Sequence, residues 1–310
     1  MNNKRLNWKK KPDFFIVGAP KCGTTAMNAY LKEHPDVFIP DNKELHFFGS
    51  DLTFKHDRSE AAYKVYFHSW QDEKVGGEAS VWYLYSTKAA EEIYQFNPEA
   101  KIIIMLRNPA DMVHAHHSQT MYGGGEPITN FEEALDAEEG RRNGSIPTHS
   151  SRPPKLFYYS QVARYTEQIK RYEAVFGSEN LHVIIFDDLK SDAQSVYKET
   201  LSFLGVDADF KADLRPRNKN RKYRFKSLHF LITDPPASLK NRLKSLFPKR
   251  LLQAVKQRIQ KANTVRAPRK AMNQATRKRL IEIYRQEIIQ LGEYLDRDFS
   301  SWLEVESSSQ

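Results

Sequence analysis

The chain has 310 residues, 40% hydrophobic and 28% charged, which suits one large α/β domain or two small ones and excludes a disordered chain. With 48 Lys and Arg against 39 Asp and Glu the net charge is +9, favouring anionic partners such as nucleotides, nucleic acid, sulfated or phosphorylated polymers, or a membrane surface. One cysteine, Cys22, excludes a disulfide framework and a cysteine-built zinc site; no apolar stretch nears a membrane span and no apolar h-region follows the basic start, so a reducing cytoplasm is the expected compartment.

Residues 1–12 read as a basic tail. Asp13-Phe-Phe-Ile-Val-Gly18 is a short apolar run stopped by glycine, the pattern of a buried strand. A glycine-rich loop follows, then a helical pattern over Ala26–Leu31. Lys101–Leu106 is a second buried strand, ended by Arg107-Asn-Pro109, and a helix is expected from about Asp111 to Tyr122, closed by Gly123. Asn130-Phe-Glu-Glu133 has the form of a capping box. Tyr158, Val162, Tyr165, Ile169, Tyr172 and Phe176 step by four and three, predicting one helix stopped by Gly177. Leu181–Phe186 is another strand, Ser191–Leu204 a helix ended by Gly205, and Leu280, Tyr284, Ile288, Leu291 and Leu295 mark a last amphipathic helix. Strands alternating with helices predict an α/β fold with a central parallel sheet flanked by helices. From Pro235 to Ala275 there is no Asp or Glu. This basic stretch reads either as a solvated helical appendage or as an anion-contact surface.

The glycine-rich loop carries the chemistry. A loop between a strand and a helix N-terminus aims several backbone N–H groups at one spot, and the helix dipole adds partial positive charge, so a phosphate binds there without a metal. Gly18 and Gly23 permit the turn, Thr24 and Thr25 bring hydroxyls, and Lys21 brings full charge. The P-loop of nucleoside triphosphatases reads G-x-x-x-x-G-K-[ST]. Gly18 and Gly23 keep that spacing, but Thr24 stands at the lysine position and the lysine has moved into the loop. There it lies nearer the first phosphate and its substituent than a β/γ pair with Mg²⁺.

The arrangement Gly18-x-Pro-Lys-x-Gly-Thr-Thr25 resembles the 5′-phosphosulfate loop of the sulfotransferases, which use 3′-phosphoadenosine-5′-phosphosulfate (PAPS). Arg107-Asn-Pro109 resembles that family's 3′-phosphate motif, and Lys43-Glu-Leu-His-Phe-Phe48 the Lys-Glu-x-His-Phe-Phe segment of its carbohydrate branch, which includes the heparan sulfate enzymes and many bacterial relatives. Phe186-Asp-Asp-Leu-Lys190 and Asp296–Trp302 also agree, so the resemblance runs from about Asp13 to Leu303. It implies one nucleotide-kinase-like domain over 13–303, with a basic helical segment near 236–265 and a tail at 304–310. It further implies sulfuryl transfer from PAPS to a hydroxyl or amine, in a carbohydrate or another acceptor, with no metal required. Glu44 then takes the acceptor's proton, with His46 as its rival, and Lys21 stabilises the bridging oxygen. Backbone N–H groups of Cys22, Gly23, Thr24 and Thr25, with the two Thr hydroxyls, hold the 5′-phosphate, and Arg107 holds the 3′-phosphate. The family's usual serine, eight residues after that arginine, is Ala115 here; Ser118, on the same helix face, is the candidate substitute. The basic run containing Arg217 and Arg221 is expected to close over the nucleotide. Glu78-Ala-Ser-Val81 lacks the positive charge that the family tends to place after its second strand.

Two other function classes stay open at this level. A P-loop kinase or NTPase using ATP–Mg²⁺ would need a metal-binding acid, for which only Phe186-Asp187 offers itself. A non-catalytic polyanion- or RNA-binding protein would fit the charge but not the ordered loop. His114, His116 and His117 are spread over different helix faces and read as ordinary packed histidines rather than a metal cluster. Cys22 has no histidine or acid arranged to make it a nucleophile, and Asn143-Gly-Ser145 reads as a chance glycosylation match.

Overall fold

Apolar runs form the middle of the sheet, and glycines let its side approach large rings. The computed structural model describes residues 10–54, 57–123, 125–148, 152–215, 221–223, 258–259, 262–266 and 271–305. Five parallel strands, β1 (Phe14–Gly18), β2 (Val37–Phe38), β3 (Val75–Ala79), β4 (Lys101–Leu106) and β5 (Leu181–Ile185), lie in the order β2-β3-β1-β4-β5. All four pairings are parallel, with Phe14 opposite Gly77 on one side and Lys101 on the other. Every residue of β1 is buried, as expected of a strand covered on both faces. β3 has no apolar run to announce it, because its core contacts come from elsewhere. A Cβ on Gly76 would sit 2.5 Å from the Trp70 ring and one on Gly77 2.5 Å from the Phe14 ring.

Among the described residues the α-helices are α1 (Thr24–Leu31), α2 (Glu60–Val65), α3 (Ala89–Phe96), α4 (Pro109–Tyr122), α5 (Phe131–Asp136), α6 (Glu138–Arg142), α7 (Tyr159–Val162), α8 (Tyr165–Phe176), α9 (Phe186–Ser191), α10 (Ala193–Leu204) and α11 (Gln274–Leu295). α1 packs on α10, while α8 packs on α3 and α11. The chain leaves β1 in one direction along the sheet and β3 in the other, and the right-handed rule for parallel crossovers then assigns these two groups to opposite faces. The reversal makes the carboxyl end of β1 a topological switch point, where open α/β sheets place their ligands.

Sequence expectation and structure differ at several boundaries. The helix expected to run unbroken through Tyr158, Val162, Tyr165 and Phe176 is split at Ala163–Arg164 into α7 and α8. The Gln168 side chain donates to the carbonyls of Gln161 and Val162, and the Thr166 N–H is taken at 2.7 Å by Glu287 of α11. The i→i−4 ladder is thereby replaced across the break. α1 starts two residues earlier than Ala26, at the loop itself. α10 starts at Ala193, because Asp192 caps it by accepting from the Ser195 N–H at 3.0 Å. Phe186 belongs to α9 rather than to the strand before it.

A two-stranded antiparallel ribbon, β6 (Arg221–Tyr223) and β7 (Thr264–Arg266), lies against α4. Most of the basic segment near 236–265 lies outside the described residues, and its last residues, Thr264 and Val265, are strand rather than helix. Among the described residues no helix is long and apolar enough to cross a membrane.

Candidate active site

The loop after β1 curls around one point because Lys21 and Gly23 take left-handed backbone, at φ 64° and 90°. A Cβ on Gly23 would lie 2.9 Å from Leu189 Cδ2 and 3.0 Å from Phe186 Cδ2, so the loop rests directly on α9. The first turn of α1 holds no acid, which leaves the dipole's positive end uncompensated. The Cys22 thiol is buried, donates to the Pro20 carbonyl at 3.3 Å and is pushed up to about 12 by burial. It packs the loop from beneath and has no nucleophilic character.

Two lysines meet this loop. Lys21 Nζ donates to Gln119 Oε1 of α4 at 3.2 Å. Lys43 Nζ donates to the hydroxyls of Thr24 at 3.0 Å and Thr25 at 3.3 Å, and stands 3.5 Å from Glu44 Oε1. Lys43 thus ties the phosphate-loop hydroxyls to the carboxylate expected to act as base. Burial lowers its pKa, and the Glu44 charge opposes that shift. The sequence motif contained Lys43 but gave it no role.

Glu44 and His46 both adopt left-handed backbone, at φ 62° and 48°. The segment is held from the end of β3: the Glu44 N–H donates to the Ala79 carbonyl at 2.9 Å, and Val81 N–H donates to Glu44 Oε2 at 3.1 Å. His46 N–H donates to Ser80 Oγ at 3.1 Å. The His46 ring stacks on Phe54 with centroids 3.9 Å apart, and its Nε2 lies 3.6 Å from Glu44 Oε2. Glu44 is the more open of the two, its side chain 34% exposed against 13% for His46. Burial raises the Glu44 pKa, while Lys43, the Val81 N–H and Arg152 pull it back. Arg152, which the sequence reading did not single out, is itself lowered by burial and feels the Glu44 charge.

Arg107 leaves the end of β4 with its guanidinium 4.9 Å from the centroid of the Phe186 ring. Its Nη2 is 3.6 Å from Asp111 Oδ2, and Asp111 also binds Arg277 of α11, so one carboxylate holds two buried arginines. Neither Asp111 nor Arg277 carried a sequence signal, because their contact joins residues 166 positions apart. Asn108 caps α4 through its side chain and donates to the Trp302 carbonyl at 3.2 Å. Ala115 is buried on this helix, and the Ser118 hydroxyl donates back to the His114 carbonyl at 3.1 Å. Arg217 lies outside the described residues. Arg221 is described only in its backbone, in the ribbon beside α4.

The remaining motif residues have structural employment. His116 Nε2 is 2.7 Å from the Leu156 carbonyl and His117 Nε2 is 2.9 Å from that of Ile128. Burial lowers His116 to about 3. The His114 ring packs 5.0 Å from that of Phe131. Asp187, the acid a kinase reading would assign to Mg²⁺, accepts from Trp302 Nε1 at 2.9 Å, and its neighbour Asp188 pairs with Arg297. The Phe186-Asp-Asp-Leu and Asp296–Trp302 segments therefore lock together beneath the loop. With Lys21, Lys43, Arg107 and Arg152 set against Glu44 and Asp111, the site is net cationic and suited to a polyanionic ligand.

The family model described as "Sulfotransferase domain" matches residues 11–292. A crystal structure of a sulfotransferase from Alicyclobacillus acidocaldarius is 29% identical, with a TM-score of 0.71 over 95% of this chain and 100% of that one. The membrane-associated sulfotransferase kil1 of Dictyostelium discoideum is 22% identical over 67% of this chain and 59% of its own length. The heparan sulfate glucosamine 3-O-sulfotransferase 6 of Mus musculus is 31% identical over 36% of this chain and 32% of its own length. The chain thus spans less than two thirds of these curated relatives. A family match across most of the chain, on the fold its sequence motifs implied, shows that the protein belongs to the sulfotransferase domain family.

Proposed function

We propose that the protein moves the sulfuryl group of PAPS to a hydroxyl or amine of an acceptor, with a carbohydrate hydroxyl as the favoured acceptor. The observation that carries this reading is the Lys43 ammonium, bonded to the Thr24 and Thr25 hydroxyls and 3.5 Å from the Glu44 carboxylate. It supports a reading in which an anion seat and a carboxylate base stand beside each other at the switch point of the sheet. The relatives named for heparan sulfate support a sugar acceptor.

The residues fit the donor. The loop amides from Cys22 to Thr25 and the start of α1 receive the 5′-phosphate. Arg107 receives the 3′-phosphate through charge-assisted hydrogen bonds, stiffened by the Phe186 ring and by Asp111. Lys21 leaves Gln119 for the oxygen that bridges phosphorus and sulfur. Glu44 takes the acceptor's proton as the acceptor atom bonds to sulfur. The S–O bond to the phosphate breaks, and the leaving 3′,5′-bisphosphate carries its electron pair onto an oxygen faced by Lys21. The raised pKa of Glu44 makes it a better base than an ordinary surface carboxylate.

Adenosine 3′,5′-bisphosphate (PAP) should raise the melting temperature in the presence of EDTA. Stabilisation by ATP–Mg²⁺ alone would overturn the proposal and restore the kinase reading.

A further inference from the structure

We propose that Glu78, a buried carboxylate outside the phosphate loop and the Lys43–Phe48 segment, is a positioning residue that holds the Glu44 segment in shape through hydroxyl relays and couples its own charge to that of Glu44. The coupling to catalysis rests on Glu44 being the base; the geometry does not.

Glu78 is the fourth residue of β3 and is 1% exposed. Three hydroxyls donate to it: Ser80 to Oε2 at 2.8 Å, Tyr83 to Oε1 at 2.8 Å, and Tyr63 of α2 to Oε1 at 3.0 Å. No cation among the described residues pairs with it. Two of these hydroxyls work in both directions. Ser80 Oγ accepts from the His46 N–H at 3.1 Å, and the Tyr83 oxygen accepts from the N–H groups of Phe47 at 2.9 Å and Phe48 at 3.4 Å. Amides of the segment thus reach one carboxylate through single hydroxyl relays. The segment needs such support, since Glu44 and His46 both sit in left-handed backbone.

The geometry of the relays depends on the charge state of Glu78. A hydroxyl has one hydrogen to give. If Glu78 carries a proton and donates it to Ser80 or Tyr83, that hydroxyl must turn its own hydrogen away from the carboxylate. Ser80 and Tyr83 are also hydrogen-bond neighbours of each other, so the displaced hydrogen turns to the other hydroxyl and protonation rearranges the hold on the segment. Burial without a cation raises Glu78 to about 7, so both charge states are populated near neutral pH. The charged and titratable groups that face the pair are Tyr63 from α2, Tyr83 after β3, and Lys43, His46 and Arg152 around Glu44. Glu44 itself raises Glu78, as like charges do in a shared low-dielectric site.

The test is a carbon-13 NMR titration of the full chain labelled at glutamate Cδ. Glu78 is identified by the resonance lost in Glu78→Gln, and Glu44 by that lost in Glu44→Gln. The Glu78 midpoint is expected near 7, and in Glu44→Gln it should fall as the like charge disappears. A Glu78 midpoint that stays put in folded Glu44→Gln overturns the proposal, as does a Glu78 that titrates like a surface carboxylate. If Glu78→Gln does not fold, Tyr63→Phe removes one donor and keeps the carboxylate. Glu78 should then titrate higher, and no movement of its midpoint also overturns the proposal. Binding of PAP, followed separately by calorimetry, decides the sulfotransferase reading without entering this outcome.

Discussion

Lys43→Met removes the ammonium that joins the loop after β1 to the proposed base, Glu44. Lys43 has 19% of its side chain exposed, with Nζ held at 3.0 and 3.3 Å by the Thr24 and Thr25 hydroxyls. A charge-assisted hydrogen bond in such a place contributes about 1.5–3 kcal/mol, or roughly ten- to 150-fold in affinity at about 1.4 kcal/mol per decade. On the proposed function the contact serves the 5′ end of the nucleotide, because these hydroxyls stand at the start of α1. The mutation should therefore weaken PAP and adenosine 5′-monophosphate by the same factor. Titration calorimetry of both ligands, with and without EDTA, reads the factor and its equality directly. Losing Lys43 should also raise the Glu44 pKa, since its charge opposes the upward push of burial. If Lys43→Met binds PAP within a factor of two of wild type, the loop does not receive the phosphate as argued here.

Arg107→Ala should show the complementary pattern: PAP weakens by about 1.5–3 kcal/mol while adenosine 5′-monophosphate is unaffected, and equal losses for both would move Arg107 away from the 3′-phosphate. Glu44→Gln should leave PAP binding near wild type and lower turnover about 10²–10⁴-fold. His46→Gln should be milder in the same assay on a panel of phenol and sugar acceptors, and the reverse order would make His46 the base. Arg141→Met breaks the buried pair with Glu126, at 2.7 Å and with both side chains at most 2% exposed. It should destabilise the protein by about 3–5 kcal/mol, read as a lower denaturant midpoint at unchanged slope. Glu78, raised from 4.5 to about 7, binds its proton more tightly in the folded state. Its contribution to stability is complete below the unfolded value and is lost as pH rises through the folded one. The difference in unfolding free energy between wild type and Glu78→Gln should therefore shrink by roughly 3 kcal/mol between pH 4 and 8, and a difference that grows with pH would refute the assignment.

The strand–loop–helix from Phe14 to Leu31 and the strand ending at Arg107 were legible because a buried parallel strand writes itself as an unbroken apolar run and a glycine marks where it stops. β3 was not legible, since Gly76 and Gly77 gain their apolar surroundings from Trp70 and Phe14 rather than from their own side chains. The break between α7 and α8 was hidden for a related reason. Its cause is Glu287, 121 positions away, and local periodicity carries no trace of it. In the site, Lys21, Glu44 and Arg107 stood out through residue type and motif. Gln119, Arg152, Asp111 and Arg277 did not, because each matters through a partner that only the fold supplies. Glu78 lay in plain view beside Val81, but a lone acid in a strand reads as a solvated face until its three hydroxyl donors are seen.

The lock between the Asp296–Trp302 segment and the floor of the phosphate loop bears on how the protein comes off the ribosome. The Asn108 side chain reaches the Trp302 carbonyl across 194 residues of sequence, and Asp187 reaches the Trp302 indole across 115. A nascent chain that has made α4 already owns the loop amides, Lys21 and Arg107, yet it lacks the ring and the tryptophan that brace them from below. Contacts of such long sequence separation form late and slowly. The anion seat is therefore among the last parts of the domain to mature, and until then a cationic loop emerges without its final shape.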